Sequence, residues 1–399
     1  MASEVAREIP GSIIDSASRF TELRRWVHQH PELGFEETRT SDLVAQHLRE
    51  HTSFEVTTGI ATTGVVATLR KGSGARSIGL RADMDALPIT EANTFAHRSR
   101  HAGRFHGCGH DGHTAMLLAA AEAISDCDFD GTVHLIFQPA EEGLGGGRAM
   151  INEGLFERFP CDRIFGMHNL PGRPLGTFAI RPGPMLASSD RFTLTINGRG
   201  GHVGMPHWCV DPVMVASHIA VAWQSMLGRR VDPTMPTTMS VTRIAAGEVD
   251  NAIPDAAHMM GSIRTTDPDV HDRIGDWMHI TAEGIAAGFG ATVEFKREIQ
   301  NPPLVNCADC VELAVNAARR VVGPNAVDSG CGMLMGAEDF AHMLRVRPGA
   351  YIFLGNGEGR PMVHDPHYDF NDEALPIGAA WWVSLVDTML GPGSGTQPS

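Results

Sequence analysis

Four short apolar runs constrain this chain more than any other feature. Residues 64–69, 77–82, 132–137 and 163–167 are too short for buried helices and suit strands. Helical periodicity surrounds them. Phe20, Leu23 and Val27 recur at i, i+3 and i+7, Leu43, Val44 and Leu48 form a second stripe, and 114–124 reads as a helix. Strands alternating with helices predict an α/β fold, a mixed sheet flanked by helices.

The middle of the chain follows another rule. Residues 192–197 alternate apolar and polar, as a half-solvated strand does. Residues 212–227 read as a helix with Pro212 at its start, 239–244 and 258–264 as strands, 270–287 as a helix and 292–297 as a strand. The order β-α-β-β-α-β is that of a ferredoxin-like unit. It predicts an inserted domain at 185–299 that interrupts a domain built from 1–184 and 300–399. Asn301-Pro-Pro marks the return crossing, and the Gly- and Pro-rich tail from about 391 is expected to be disordered.

Composition excludes several classes. A chain of 399 residues predicts two or three domains. The net charge of −15 argues against nucleic acid and anionic membranes as partners. No run approaches the ~20 apolar residues of a membrane span. The first residues lack the basic-then-apolar order of a secretory signal. Seven cysteines, an odd number scattered through a long chain, fit a reducing cytoplasm.

The chemistry concentrates where strand-like runs end. His106-Gly-Cys-Gly-His-Asp-Gly-His113 joins metal-ligand residue types to glycines that let backbone turn tightly around an ion. Cys108 and His110, two apart, can point the same way in an extended loop. Asp111 is placed to cap the helix expected near Thr114. The plainer alternative is a glycine-rich turn with a buried thiol. Gln138-Pro-Ala-Glu-Glu-Gly143 puts two carboxylates after another run, where α/β active sites form. One can hold a metal while the other takes a proton from water. His168 follows a third run, and His364 and His367 lie near the C-terminus. Cys108, His110, one glutamate, His168 and either His364 or His367 would suffice for two ions, a known way to activate one hydroxide. Asp85 reads as an acceptor that orients a ligating histidine, and Asp83 stays open between that role and ligation. In the inserted domain His202 sits in a glycine-rich loop, Asn251 precedes Ile253-Pro254 and Arg264 ends a strand. Together they suit an oxyanion and a carboxylate. Cys307-Ala-Asp-Cys310 has the spacing of a redox or metal pair but no second pair. It reads as the start of a helix with two ordinary thiols.

Taken together, these motifs resemble the M20 family of metallopeptidases and amidohydrolases, in the branch of hippurate hydrolases and plant auxin-conjugate hydrolases. The resemblance runs from about Arg24 to Ala379. It adds residues 24–33, 79–88 and Gly336-Ala-Glu-Asp-Phe340 to the motifs above. It implies Cys108, His110, Glu142, His168 and His364 as ligands of two divalent ions (Zn, Mn, Co or Ni) and Glu141 as general base. It implies His202 at the oxyanion, in this family often supplied by a dimer partner, and Asn251 and Arg264 at the substrate carboxylate. The inserted domain would act as lid and dimerisation module of a homodimer or higher homo-oligomer. The implied activity is hydrolysis of N-acyl amino acids through a metal-bridged hydroxide. The alternatives are an aminohydrolase that releases ammonia, a dipeptidase or carboxypeptidase on the same centre, and a non-catalytic metal-dependent binding protein. The basic, His-rich stretch 95–101 and Trp208-Cys209 depart from the family pattern, which bears on the acyl pocket.

Overall fold

A computed structural model describes residues 9–392. Most of the tail expected to be disordered, 393–399, lies outside the described residues, as do the first eight residues. The chain divides into two compact units. One comprises residues up to Gly183, Val305–Gly332 and those from His342 on; the other comprises Pro184–Leu304 and Met333–Ala341. The stretch Met333–Ala341 thus groups with the second unit, not with the 300–399 segment expected from the sequence.

The first unit is built on a mixed eight-stranded sheet. Its strands are β1 (Glu55–Ile60), β2 (Gly64–Lys71), β3 (Ser77–Asp83), β4 (Gly131–Gln138), β5 (Arg163–Leu170), β6 (Phe178–Ala179), β7 (Val327–Asp328) and β8 (Gly349–Gly355), in the order β1-β2-β4-β3-β5-β8-β6-β7. Strands β4, β3, β5 and β8 are parallel neighbours. Every residue of β3 and β8 is buried, which explains why the run at 77–82 reads as apolar; the sequence reading does not mark β8. Parallel pairing brings strand ends to one side of the sheet, and Asp83 stands opposite Gln138 in the register. The polar residues after the apolar runs therefore converge.

Helices α1 (Gly11–Gln29), α2 (Thr38–His51), α3 (His110–Asp126), α4 (Ala308–Val322) and α5 (Leu375–Leu390) pack with the sheet in one core. Phe20, Val44 and Leu48 of the two predicted stripes are fully buried in it. Helix α3 is buried on all sides over most of its length, which its alanine-rich sequence permits. It starts at His110, four residues earlier than expected.

The second unit carries a separate four-stranded antiparallel sheet, in the order Thr237–Ala246, Ala256–Thr265, Ser189–Asn197, Thr292–Asn301. Alternate side chains are buried, so one face is covered by the helices Pro212–Arg230 and Pro268–Phe289 around Trp223. Both helices begin with Asp-Pro. Asp211 accepts from the Val213 N–H and Asp267 from the Asp269 N–H, each at 2.8 Å, and proline fills the first helical position. Among the described residues no helix is long and apolar enough to cross a membrane.

Candidate metal centre

In the first unit the loop ahead of α3 folds back on β5. Gly109 lies in the left-handed region at φ 91°, and a Cβ there would stand 2.3 Å from Asn169 Nδ2 and 2.4 Å from Tyr368 Oη. Only glycine allows this approach, and it places Cys108 Sγ 3.2 Å from His168 Nε2. Two donor groups share that thiol. Ligand atoms of Cys108, His110 and His168 all lie within 4.8 Å of one another, and so do those of Cys108, Glu142 and His364. A third group joins His110, Glu141 and Glu142. His364 Nε2 is 3.3 Å from Glu142 Oε1. Its backbone N–H donates to Gly107 O at 2.7 Å, and its φ is 70°. His367 instead lies against Asp365, so of the two C-terminal histidines His364 is the one that joins the cluster.

The donors fit a cation. His110 Nε2 and Glu142 Oε1 are buried without a hydrogen-bond partner, a costly state that a metal ion removes. The charges agree. Burial, then Glu142, Glu141 and Asp83, pushes the Cys108 thiol up. Burial opposes a charge on His110, but Asp83, Asp85 and Glu142 lift it to about 10. Burial and the neighbouring His113 push His168 down. Crowded carboxylates beside a thiol and imidazoles form an electrostatic sink for a divalent ion.

Neighbouring groups orient the donors. His110 Nδ1 faces Asp85 O at 2.9 Å and Asp85 Oδ1 at 3.2 Å, which turns Nε2 to the cluster. Asp85 also accepts from the Glu142 N–H at 2.9 Å. Asp83 pairs with His113 Nδ1 at 2.6 Å, and the Asn169 N–H donates to His113 Nε2 at 3.0 Å. Both nitrogens of His113 are thus occupied. Asp83 is held well below the usual carboxylate range, burial notwithstanding, by His110, Arg81 and His113.

Asp111 does not cap α3, whose N-terminal boundary residue is Gly109. Its carboxylate accepts from buried Arg24 at 3.2 Å and faces His28 Nδ1 at 2.8 Å. Arg24 also binds Asp369 and Asp372, beyond His364. The His-rich stretch expected to bear on the acyl pocket packs on this network: His97 is 3.3 Å from Asp369, and Phe95 stacks on it. Sequence reading assigned no roles to Arg24 and His28. Their only signal was their place in the 24–33 motif. Cys307 and Cys310 open α4 as free thiols.

In the second unit His202 is exposed and pairs with Ala252 across a two-residue bridge, which brings the Asn251 carbonyl to the Val203 N–H at 3.3 Å. The Gly204 N–H donates to His202 Nδ1 at 3.0 Å, which leaves the proton of the neutral ring on Nε2. Arg264 is not part of this group. It lies eight residues beyond Ala256 on a regular strand, roughly 26 Å along it from the Asn251 end. It is half-buried, and burial lowers its pKa. The neighbouring Asp190 is taken by Arg297 and His271.

A family model described as Peptidase family M20/M25/M40 matches residues 79–388. The chain belongs to this family. This M20 chain is 39% identical to hippurate hydrolase of Campylobacter jejuni over 94% of its length and 97% of the relative's. It is 35% identical to IAA-amino acid hydrolase ILR1-like 4 of Arabidopsis thaliana, covering 96% and 90%. Among solved structures, the Bacillus subtilis YXEP protein, a dinuclear metal-binding peptidase from the M20 family, matches with a TM-score of 0.83 and 33% identity, covering 94% and 99%. The M20 chain is a metallohydrolase acting on amide bonds.

Proposed function

We propose that this M20 enzyme hydrolyses the amide bond of N-acyl amino acids, aliphatic or aromatic, releasing a carboxylic acid and an amino acid. The observation that carries the reading is the single thiol of Cys108 shared between two donor groups, with Glu141 beside them. His110 and His168 would hold one divalent ion and Glu142 and His364 the other, with Cys108 common to both. Such a pair supplies Lewis acidity toward the carbonyl and lowers the pKa of water. Glu141 takes the proton of the attacking water and returns it to the leaving nitrogen. His202, with its proton on Nε2, donates to the oxyanion. Asn251 and Arg264 bind the carboxylate of the amino-acid portion.

The separation of Arg264 from His202 and Asn251 supports a homodimer in which these groups reach one substrate from different second units. Exposed Val221, Ile280 and Phe289 on the two helices of that unit give such an assembly an apolar surface to cover. The seven free thiols suit a reducing, cytoplasmic setting.

The test is a release assay. Protein loaded in turn with Zn, Mn, Co and Ni would be given N-acetyl, N-benzoyl and indole-acetyl amino acids, dipeptides and aromatic amines. Chelator-sensitive release of a free amino acid from the acylated substrates is expected. Release of ammonia, or no turnover by protein that holds both ions, sinks the reading.

A further inference from the structure

Glu37 is a carboxylate with no role in the reading above, and it is wholly buried. It is the residue ahead of α2, yet it does not cap that helix. Glu32 does so instead, accepting from the Arg39 and Thr40 N–H groups at 3.1 and 2.9 Å. The Glu37 side chain reaches elsewhere. Oε1 accepts from the Ala140 N–H at 2.8 Å and Oε2 from the Thr63 hydroxyl at 2.6 Å.

Ala140 directly precedes Glu141. Its φ of 53° lies in the left-handed region, which alanine rarely adopts without being held there. The turn is boxed in. A Cβ on Gly146 would stand 1.7 Å from Pro139 O, and one on Gly34 would stand 2.9 Å from Ala140 Cα. The Gly146 N–H donates to Ala140 O at 2.9 Å. On the far side of Glu141, the Glu142 N–H is held by Asp85 at 2.9 Å. Two buried carboxylates therefore grip the peptide N–H groups at 140 and 142, on either side of the general base. Such a carboxylate is expensive to bury, and burial lifts Glu37 to about 7 against the Thr63 hydrogen bond.

We infer that Glu37 is a positioning residue for the reaction: by holding the Ala140 N–H in the left-handed turn, it aims the Glu141 and Glu142 carboxylates. The inference rests on the proposed roles of those two residues. A glutamine at 37 can accept from the Ala140 N–H through its amide oxygen and donate to the Thr63 hydroxyl through its nitrogen, so both hydrogen bonds survive without the charge. An aspartate keeps the charge but, one methylene shorter, withdraws from Ala140.

The experiment compares full-length wild type, Glu37→Gln, Glu37→Asp and Glu141→Gln. It reads kcat and KM for N-benzoylglycine, bound metal per chain after dialysis, and melting temperature. Glu37→Gln should keep kcat within about threefold, whereas Glu37→Asp should lose about 100-fold in kcat at little-changed KM, the scale of a 1 Å misplacement of a catalytic group. Glu37→Asp should also hold its second metal ion more weakly, because Glu142 moves with the turn. Equal kcat and equal metal retention in the two Glu37 variants, or a Gln variant worse than the Asp variant, overturns the inference. If Glu37→Asp does not fold, the Gln variant decides: a loss in it beyond tenfold in kcat overturns the inference. Full activity of Glu141→Gln would instead remove the base assignment on which the inference stands. An inactive Glu141→Gln beside an unimpaired Glu37→Asp removes the Glu37 role alone.

Discussion

Each proposed group around Cys108 in the first unit is buried or backed by a neighbour, whereas the His202 loop in the second unit lies open. His110 is turned by Asp85, the Glu142 peptide is held by Asp85, His364 is tied to Gly107, and Asp111 is anchored by Arg24 and His28. His202, Val203, Met205 and Trp208 are all exposed, and among the described residues the His202 ring has one hydrogen bond, a local one from the Gly204 N–H. The difference has a physical reason. Ligands that share an ion must be brought together against their own charges and desolvation, so the scaffold has to hold them before the ion arrives. A group that meets only the substrate carries no such cost and can ride on a loop.

The comparison can be broken most sharply at its centre. Glu141→Gln should lower kcat about 1,000-fold while bound metal stays unchanged, because only proton transfer is lost. Metal analysis beside steady-state kinetics checks this, and a variant with near-normal rate and full metal removes Glu141 as base. His202→Ala should cost about 100-fold in kcat, as removal of an oxyanion donor does, with no change in melting temperature or metal content. A fall in metal content would mean that the open loop is part of the centre after all. Arg264→Ala should raise KM about tenfold or more with kcat little changed, the mark of lost uniform binding. A kcat effect alone would place Arg264 elsewhere in the reaction.

The frame behind the centre bears on stability and not on rate. Burial opposes a charge on His28, but Asp111 and Glu91 lift its pKa from 6.5 to about 9. The folded value exceeds the unfolded one, so this contribution is complete below pH 6.5 and is lost as pH rises through 9. It amounts to something on the order of 3 kcal/mol. Urea unfolding of wild type should weaken across that window, and His28→Gln should flatten the slope. An unchanged slope in the variant would show that His28 is not charged in the folded protein.

Much of this was legible in the residues themselves. The runs at 64–69, 77–82, 132–137 and 163–167 lie within β2 to β5, because strands buried on both faces must be apolar throughout. Alternation marked the half-solvated strand at 192–197, and Pro212 marked the start of one helix of the second unit; the other starts at Pro268, two residues before the expected 270, because Asp267 caps it there. The candidate ligands stood out because few residue types bind metals and these cluster at strand ends. Asp111 misled, because a carboxylate before a helical stretch looks like a cap until the true start of the helix is known.

Tertiary structure decided which of these residues lie together. Residue pattern left His364 and His367 open and the family resemblance pointed to His364; a left-handed backbone and one hydrogen bond to Gly107 are what bring it to the cluster. The distance of Arg264 from Asn251 follows from the strand register, and the grip of Glu37 on Ala140 spans 103 positions of sequence. Periodicity and residue type act over a few neighbours, so they determine strands, helices and a stock of possible ligands. Which buried carboxylate faces which peptide is set by how distant segments pack, and nothing local in the sequence carries that information.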